Sequence, residues 1–278
     1  RTKRVTLRNA LLMNDFSEIE HGEKCLLKAW HSSHGRGDTP PYRGRLFDLL
    51  SRISPTVFPA IEQSYDRHVS SRKTDTFILS LAEHNDLLEG SVGKLSMWRA
   101  YGGRTNVAVV INPGFLFTEA SSAAYTAPVI YSGIDEFPDR FFGPLIDSIE
   151  KNFGEVAALD RDYLVECMLL ALNSMAMATK HPGFAEEQEW RVIYAPWLSY
   201  SSEIQSEIID IGGIPQKVYY VGIDGSNGFS VNALLKKIII GPTDNPWILY
   251  EAFVKELEMA GIEDAAKKVV VSDIPIRR

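Results

Sequence analysis

Cysteine is scarce in this chain: 278 residues hold two, Cys25 and Cys167. Two cysteines so far apart form no disulfide framework and no CxxC motif. They read as reduced, buried thiols of a cytoplasmic protein. The six histidines, at 21, 31, 34, 68, 84 and 181, have no CxxC or HExxH partner, which removes the common zinc signatures. Long apolar runs are missing as well. The longest, residues 167–178, contains Asn173 and Ser174 and is far short of the roughly 20 residues that span a bilayer. Residues 1–9, RTKRVTLRN, are basic with no apolar stretch behind them, so no signal peptide is read there. There is no basic excess: 29 Lys+Arg face 36 Asp+Glu, a formal net charge of −7. That balance argues against broad binding to nucleic acid or to an anionic membrane. The motifs GxGxxG, GxxxxGK(S/T), GxSxG and the EF-hand loop are missing, as are internal repeats and low-complexity tracts.

What remains is the composition of a folded globular protein, 45% hydrophobic and 23% charged. The length allows one large domain or two small ones. Candidate breaks at 34–41, 212–215 and 225–228 are too short for flexible linkers, so residues 1–278 read as a single α+β domain.

Apolar spacing and punctuation predict the elements. Ser17 starts a helix to about Trp30, with Glu20 completing a capping box. Residues 43–68 read as helical, broken into two pieces by Pro55 and Pro59. Residues 74–81 read as a strand and 95–101 as a short helix closed by Gly102 and Gly103. Residues 106–111, NVAVVI, read as a buried strand ended by Pro113 and Gly114, and 127–131 as another strand. Residues 135–153 and 162–179 read as helices, the second apolar nearly all round and therefore central. Strands are predicted at 189–195, 217–223, 237–240 and 268–272, and a helix at 245–260. The mixed order, without βαβ alternation, argues for α+β rather than a doubly wound sheet.

The most informative segment is 180–194, KHPGFAEEQEWRVIY. Glu187 and Glu189 stand two apart at the start of a predicted strand, where residues i and i+2 share a face. Such a pair can bind sugar hydroxyls, stabilise a positively charged glycosyl transition state, or act as acid and base. Arg191 continues the same face and can hold either carboxylate in place. The competing reading is a salt-bridge ladder on a solvated edge strand. In residues 77–103, Ser80 falls in a strand, with Glu83, His84, Asn85 and Asp86 just past its end. Trp98 and Tyr101, three apart on one helical face, offer rings for stacking on a base or nicotinamide; core packing of Trp98 competes with that. His84 and Asp86 read as an acid/base pair or a surface turn. Residues 241–246, GPTDNP, read as an anion-binding loop or a tight strand-to-helix turn. Asn14 and Asp15 read as a turn into the first helix.

Taken in order, LLMNDFSE (11–18), ILSLAEHND (78–86), LSMWRAYG (95–102) and EEQEWRVIY (186–194) resemble the bacterial proteins grouped as domain of unknown function 2971. Weaker echoes are VIYSG (129–133), KKIIIGP (236–242) and SDIPIRR (272–278), so the resemblance spans nearly the whole chain. Such families open with a segment like Tyr-His-Tyr-Thr-Ser and a helix ending in a basic turn. Arg1-Thr2-Lys3-Arg4 resembles the end of that helix, so the opening strand is expected to be missing before residue 1. The family pattern in turn resembles ADP-ribosyltransferases, in which a first strand carries a His or Arg that grips NAD, a second a Ser or Tyr, and a later one a catalytic Glu.

This resemblance implies a mixed, largely antiparallel sheet with flanking helices and NAD as substrate. Glu189 and Glu187 would be catalytic, with Ser80, Trp98, Tyr101 and Arg191 around the NAD. The acceptor would be an unidentified protein or nucleic acid, or water in an NAD glycohydrolase, and with the opening strand absent the chain would bind NAD poorly unless a partner subunit supplied it. It also implies a place in bacterial stress or phage defence. Two other readings stand beside it: a non-catalytic interaction or sensor module of a defence system, and a nuclease using Asp15, Asp86, Glu187 and Glu189 around a divalent metal. The transferase reading requires Ser80 and Glu189 within roughly 10 Å in one cleft. The module reading requires the Glu pair satisfied by Arg or Lys, with no sizeable cavity beside it.

Overall fold

The computed structural model describes residues 3–13, 19–32, 41–103, 105–114, 124–223, 225 and 230–275. The chain opens with β1 (Arg4–Asn9), followed by the helices α1 (Glu20–His31), α2 (Tyr42–Ile53), α3 (Val57–Arg67) and α4 (Val69–Thr74). Then come β2 (Phe77–Ala82), α5 (Leu95–Tyr101), β3 (Val107–Ile111), β4 (Tyr125–Pro128) and β5 (Ile130–Tyr131). The helices α6 (Phe137–Lys151), α7 (Phe153–Ala157) and α8 (Arg161–Met177) lead into β6 (Thr179–Lys180) and β7 (Glu189–Tyr194). The last third holds β8 (Gln205–Ile211), β9 (Ile214–Gly222), α9 (Val231–Leu234), β10 (Leu235–Ile240), α10 (Pro246–Met259), α11 (Ala265–Lys268) and β11 (Val269–Val271).

The fold is α+β, with a mostly antiparallel sheet and flanking helices. The main sheet has six strands in the order β4-β7-β2-β1-β9-β8, every neighbouring pair antiparallel. A second sheet runs β11-β10-β3, and β5 pairs with β6 in parallel. One face of the main sheet buries Leu7, Phe77, Val192, Tyr194 and Tyr219. Phe77 and Tyr194 each meet Tyr219 edge-on, at 4.6 and 4.8 Å between centroids. The opposite face buries Ile78 and Ile193 against Ala10, Ile19 and Met177. Met177 closes α8, so this helix joins the sheet to a helical core of α1, α2, α3, α6 and α8. It packs there by one side rather than all round: Leu164, Val165, Met168, Leu172 and Ala176 are buried, while Tyr163, Glu166 and Leu170 are exposed. A Cβ on Gly22 would stand 1.9 Å from the Ala176 carbonyl oxygen, which is how closely α1 crosses α8.

Several expectations change. Arg4 begins β1, so it is not the end of a helix; Arg4, Thr6 and Arg8 alternate with Val5 and buried Leu7, a period-two pattern. Pro55 lies in the break between α2 and α3, but Pro59 sits in the first turn of α3, where a missing N–H costs nothing. Strand β3 is at an edge rather than buried, with Val109 58% exposed. Residues 212–215 are not a break but a hairpin: Gly212 and Gly213, at φ +65 and +83, turn β8 into β9. Helix α1 starts at Glu20 with Ile19 at its N-cap, so Glu20 is its first residue and not the end of a capping box from Ser17; Ser17 itself and the turn at Asn14 and Asp15 lie outside the described residues. Both cysteines are free; Cys25 is buried, and burial pushes its thiol up to about 11. Among the described residues no helix is long and apolar enough to cross a membrane.

Candidate active site

Strands β1, β2 and β7 are neighbours. Ser80 pairs with Arg191, Ala82 with Glu189, Ile78 with Ile193, and Arg8 with Ile78. Directly paired residues share a face, and so do residues two apart. Arg8, Ser80, Glu189 and Arg191 therefore stand on one face, beyond the apolar patch made by Ile78, Ile193 and Met177.

Glu189 is the centre of the polar cluster. It is 4% exposed. Its Oε1 accepts from Ser80 Oγ at 2.6 Å and Arg191 Nε at 2.9 Å, and its Oε2 accepts from Lys180 Nζ at 3.0 Å. Its backbone N–H donates to the Tyr131 hydroxyl at 2.9 Å. Burial alone would raise its pKa, but Arg191, Ser80 and Lys180 outweigh that, and the net shift is downward. Tyr131 is shifted upward, chiefly by burial. Arg191 is fully buried and also donates to the Met177 carbonyl at 2.7 Å, which anchors it to the end of α8. The expected ladder on a solvated edge is absent here, because β7 is covered on both sides by β4 and β2.

Glu187 reaches the same spot by another route than strand alternation. It ends a 3-10 helix, Pro182–Glu187, while Glu189 starts β7. Gln188 between them is left-handed, at φ 48 and ψ 55, a costly conformation for a residue with a side chain. Both carboxylates still converge, because Lys180 Nζ lies 2.8 Å from Glu187 Oε2 as well as 3.0 Å from Glu189. The Tyr101 hydroxyl donates to Glu187 Oε1 at 2.6 Å.

Ser80, Lys180, Glu187 and Glu189 line a cavity of about 260 Å³ together with Arg8, Met13, Met97 and Tyr101; Arg191, expected beside the substrate, is fully buried and does not line it. Ser80, Leu81, Ala82 and Met97 border as well a larger cleft of about 1020 Å³ that runs to β3 and β10. Trp98 lines that cleft and not the cavity. It is 7% exposed, donates from Nε1 to Val92 O at 2.9 Å and packs with Val110 and Ile239, so core packing accounts for it. Tyr101, three residues on, is the ring that faces the carboxylates. The turn 241–246 is tied to the core: Gly241 N donates to Asn106 O, and Asn106 Nδ2 to Pro242 O, both at 2.8 Å.

His84 lies 3.4 Å from Asp86 and 3.2 Å from Glu89. Asp86 is held by Lys236 and Lys237, whose hydrogen bonds bring its carboxyl down to about 2. It is thus paired away from Glu187 and Glu189. Among the described residues no group of three or more His, Cys, Asp or Glu side chains is arranged to hold a metal ion, and Asp15 lies outside them.

Residues 97–192 match the family described as Protein of unknown function (DUF2971). The matched stretch is about a third of the chain, shorter than the span of the motifs that carry the resemblance. It supports that resemblance where the cavity is built, since it holds Met97, Tyr101, Lys180, Glu187, Glu189 and Arg191; Arg8 and Ser80 lie before it. No curated protein and no solved structure matches the chain.

Two charged lining residues, Arg8 and Lys180, were not among the residues the sequence singled out. Arg8 had a usable signal in the alternation of β1. Lys180 had none, since it stands seven positions before Glu187, across a 3-10 turn.

Proposed function

We propose that this chain consumes NAD, as an ADP-ribosyltransferase or, with water as acceptor, as an NAD glycohydrolase. One observation carries the reading: Ser80 Oγ donates to Glu189 Oε1 at 2.6 Å across adjacent strands on a cavity floor, with Arg8 of the next strand on the same face. That is far inside the roughly 10 Å that the reading required. The order β7-β2-β1 supports the three-part layout of Glu, Ser and a basic residue. On this reading β1 takes the part of the first strand, and Arg8 that of its basic residue.

The residues fit the substrate. Arg8 matches a phosphate of NAD. The small cavity suits nicotinamide and its ribose, and the adjoining cleft the remainder. In the reaction the bond from ribose C1′ to the nicotinamide nitrogen breaks, and its electron pair leaves with neutral nicotinamide. Positive charge builds on the ribose, where the Glu189 carboxylate, kept ionised by Arg191, Lys180 and Ser80, stabilises it. The acceptor bonds to C1′ and loses a proton, which Glu187 can take.

The interaction-module reading keeps one observation in its favour: Arg191 and Lys180 satisfy both carboxylates. The cavity beside them counts against it.

The test is nicotinamide release from NAD by the wild type, E189Q and S80A, each shown to be folded by circular dichroism. The expected outcome is turnover by the wild type, a loss of at least about a hundredfold in E189Q, and a smaller loss in S80A. No release by the wild type, with and without cell lysate as an acceptor source, would transfer the weight to the interaction module.

A further inference from the structure

We propose that Lys180 is a positioning residue of this site: its ammonium ties Glu187 to Glu189 and holds the two like-charged carboxylates together on the cavity floor. The inference rests on the NAD-consuming reading for its catalytic meaning, and on geometry for its substance. Lysine is almost never fully buried unless paired. Lys180 is 2% exposed, with Nζ 2.8 Å from Glu187 Oε2, 3.0 Å from Glu189 Oε2, and the Phe184 ring 4.7 Å away. Its backbone is pinned just past α8: Ser132 N donates to Lys180 O at 3.2 Å, and neighbouring Thr179 bonds Met175 O at 2.6 Å. The lysine is therefore delivered to the pair by the main helix rather than by the pair's own strand.

The two carboxylates depend on it unequally. Glu189 also has Arg191 and Ser80. Glu187 has the Tyr101 hydroxyl and, among the described residues, no other cation. Among the described residues, Tyr131 on β5 feels the charge of Lys180, and Arg8 lines the same cavity. Without the ammonium, two carboxylates would share the floor, and repulsion would be relieved by proton uptake or by Glu187 turning away.

The experiment uses the full chain as wild type, K180M, K180R and the double variant K180M/E187Q. Carboxyl-carbon NMR titration reads the pair without any substrate. In K180M the titration of the pair is expected to move up by at least about one pH unit relative to the wild type, and in K180R to return toward it. A folded K180M that titrates like the wild type overturns the proposal. If K180M is too unstable to titrate, E187Q in the same chain is expected to raise its melting temperature by removing the repulsion; no such rescue also overturns it. In the NAD assay the acid limb of the pH–rate profile of K180M should move up with the titration, with kcat falling more than KM changes. An unmoved profile in an active K180M overturns the positioning role and leaves the NAD reading intact. A shifted titration in a protein that never releases nicotinamide supports the tie between the carboxylates and removes the NAD reading.

Discussion

Gln188 separates what a motif states from what it builds. The spacing Glu-x-Glu promised two carboxylates on one strand face, and two carboxylates do meet. They meet because a left-handed residue ends a 3-10 turn and a lysine pulls both together, so the proximity is right and its cause is different. Arg191 behaved as its position suggested, because i and i+2 within a true strand share a face. Arg8 is the residue whose role is most open to direct test. It is aimed by its bonds to the Leu12 carbonyl at 2.9 Å and to Gln216 at 3.3 Å, so it is held in place before any ligand arrives. If it grips a phosphate of NAD, R8Q should raise KM by about tenfold with a smaller effect on kcat, one charge-assisted hydrogen bond's worth. Steady-state kinetics over a range of NAD concentrations checks this, and an unchanged KM would remove Arg8 from the substrate's path.

At the scale of elements, helices with a clear apolar stripe and strands rich in Val and Ile were legible: α5, α8, β7 and α10 stand close to where periodicity put them. Strands on a half-exposed edge were not. Strand β8 (QSEIIDI) has weak alternation in its sequence, and its hairpin glycines read as a break although they pair β8 with β9. The contact of α1 with α8 is likewise invisible in the sequence, since a lone glycine in a helix has many explanations. Here it is close backbone approach. G22A places a methyl against a carbonyl that belongs to a helix and cannot rotate aside, so the loss should be about 2–3 kcal/mol. Urea denaturation with an unchanged m-value would confirm it. Because Met177 O at the end of α8 receives Arg191, the same substitution should also disturb the site.

For the molecule as a whole, Glu189 connects stability to pH. The pKa of Glu189 is lower in the folded chain than the ordinary value of about 4.3. Its contribution is therefore fully present above that value and is lost as pH falls through the depressed folded one. E189Q, which leaves Arg191 buried without its countercharge, should cost about 2–4 kcal/mol at pH 7. The difference in melting temperature between wild type and E189Q should narrow as pH is lowered below about 4. A constant difference across that range would show that the carboxylate's charge is not what stabilises the site. Asp86, also depressed, is solvent-exposed, and its ion pairs are expected to add little.

Residue chemistry and local order were legible in the chain: an acidic pair followed by an arginine, a serine in a strand, an aromatic pair on a short helix, and an α+β succession without βαβ regularity. Those are local properties, set by spacing along the backbone. Which strands lie side by side was a tertiary decision. Ser80 and Glu189 are 109 residues apart and meet only because β2 and β7 pair. Arg8 joins them because β1 lies on the other side of β2, and Lys180 because α8 ends over the same face. Strand order and helix placement are settled by which apolar faces can be buried together, a property of the whole set of elements that no segment carries alone.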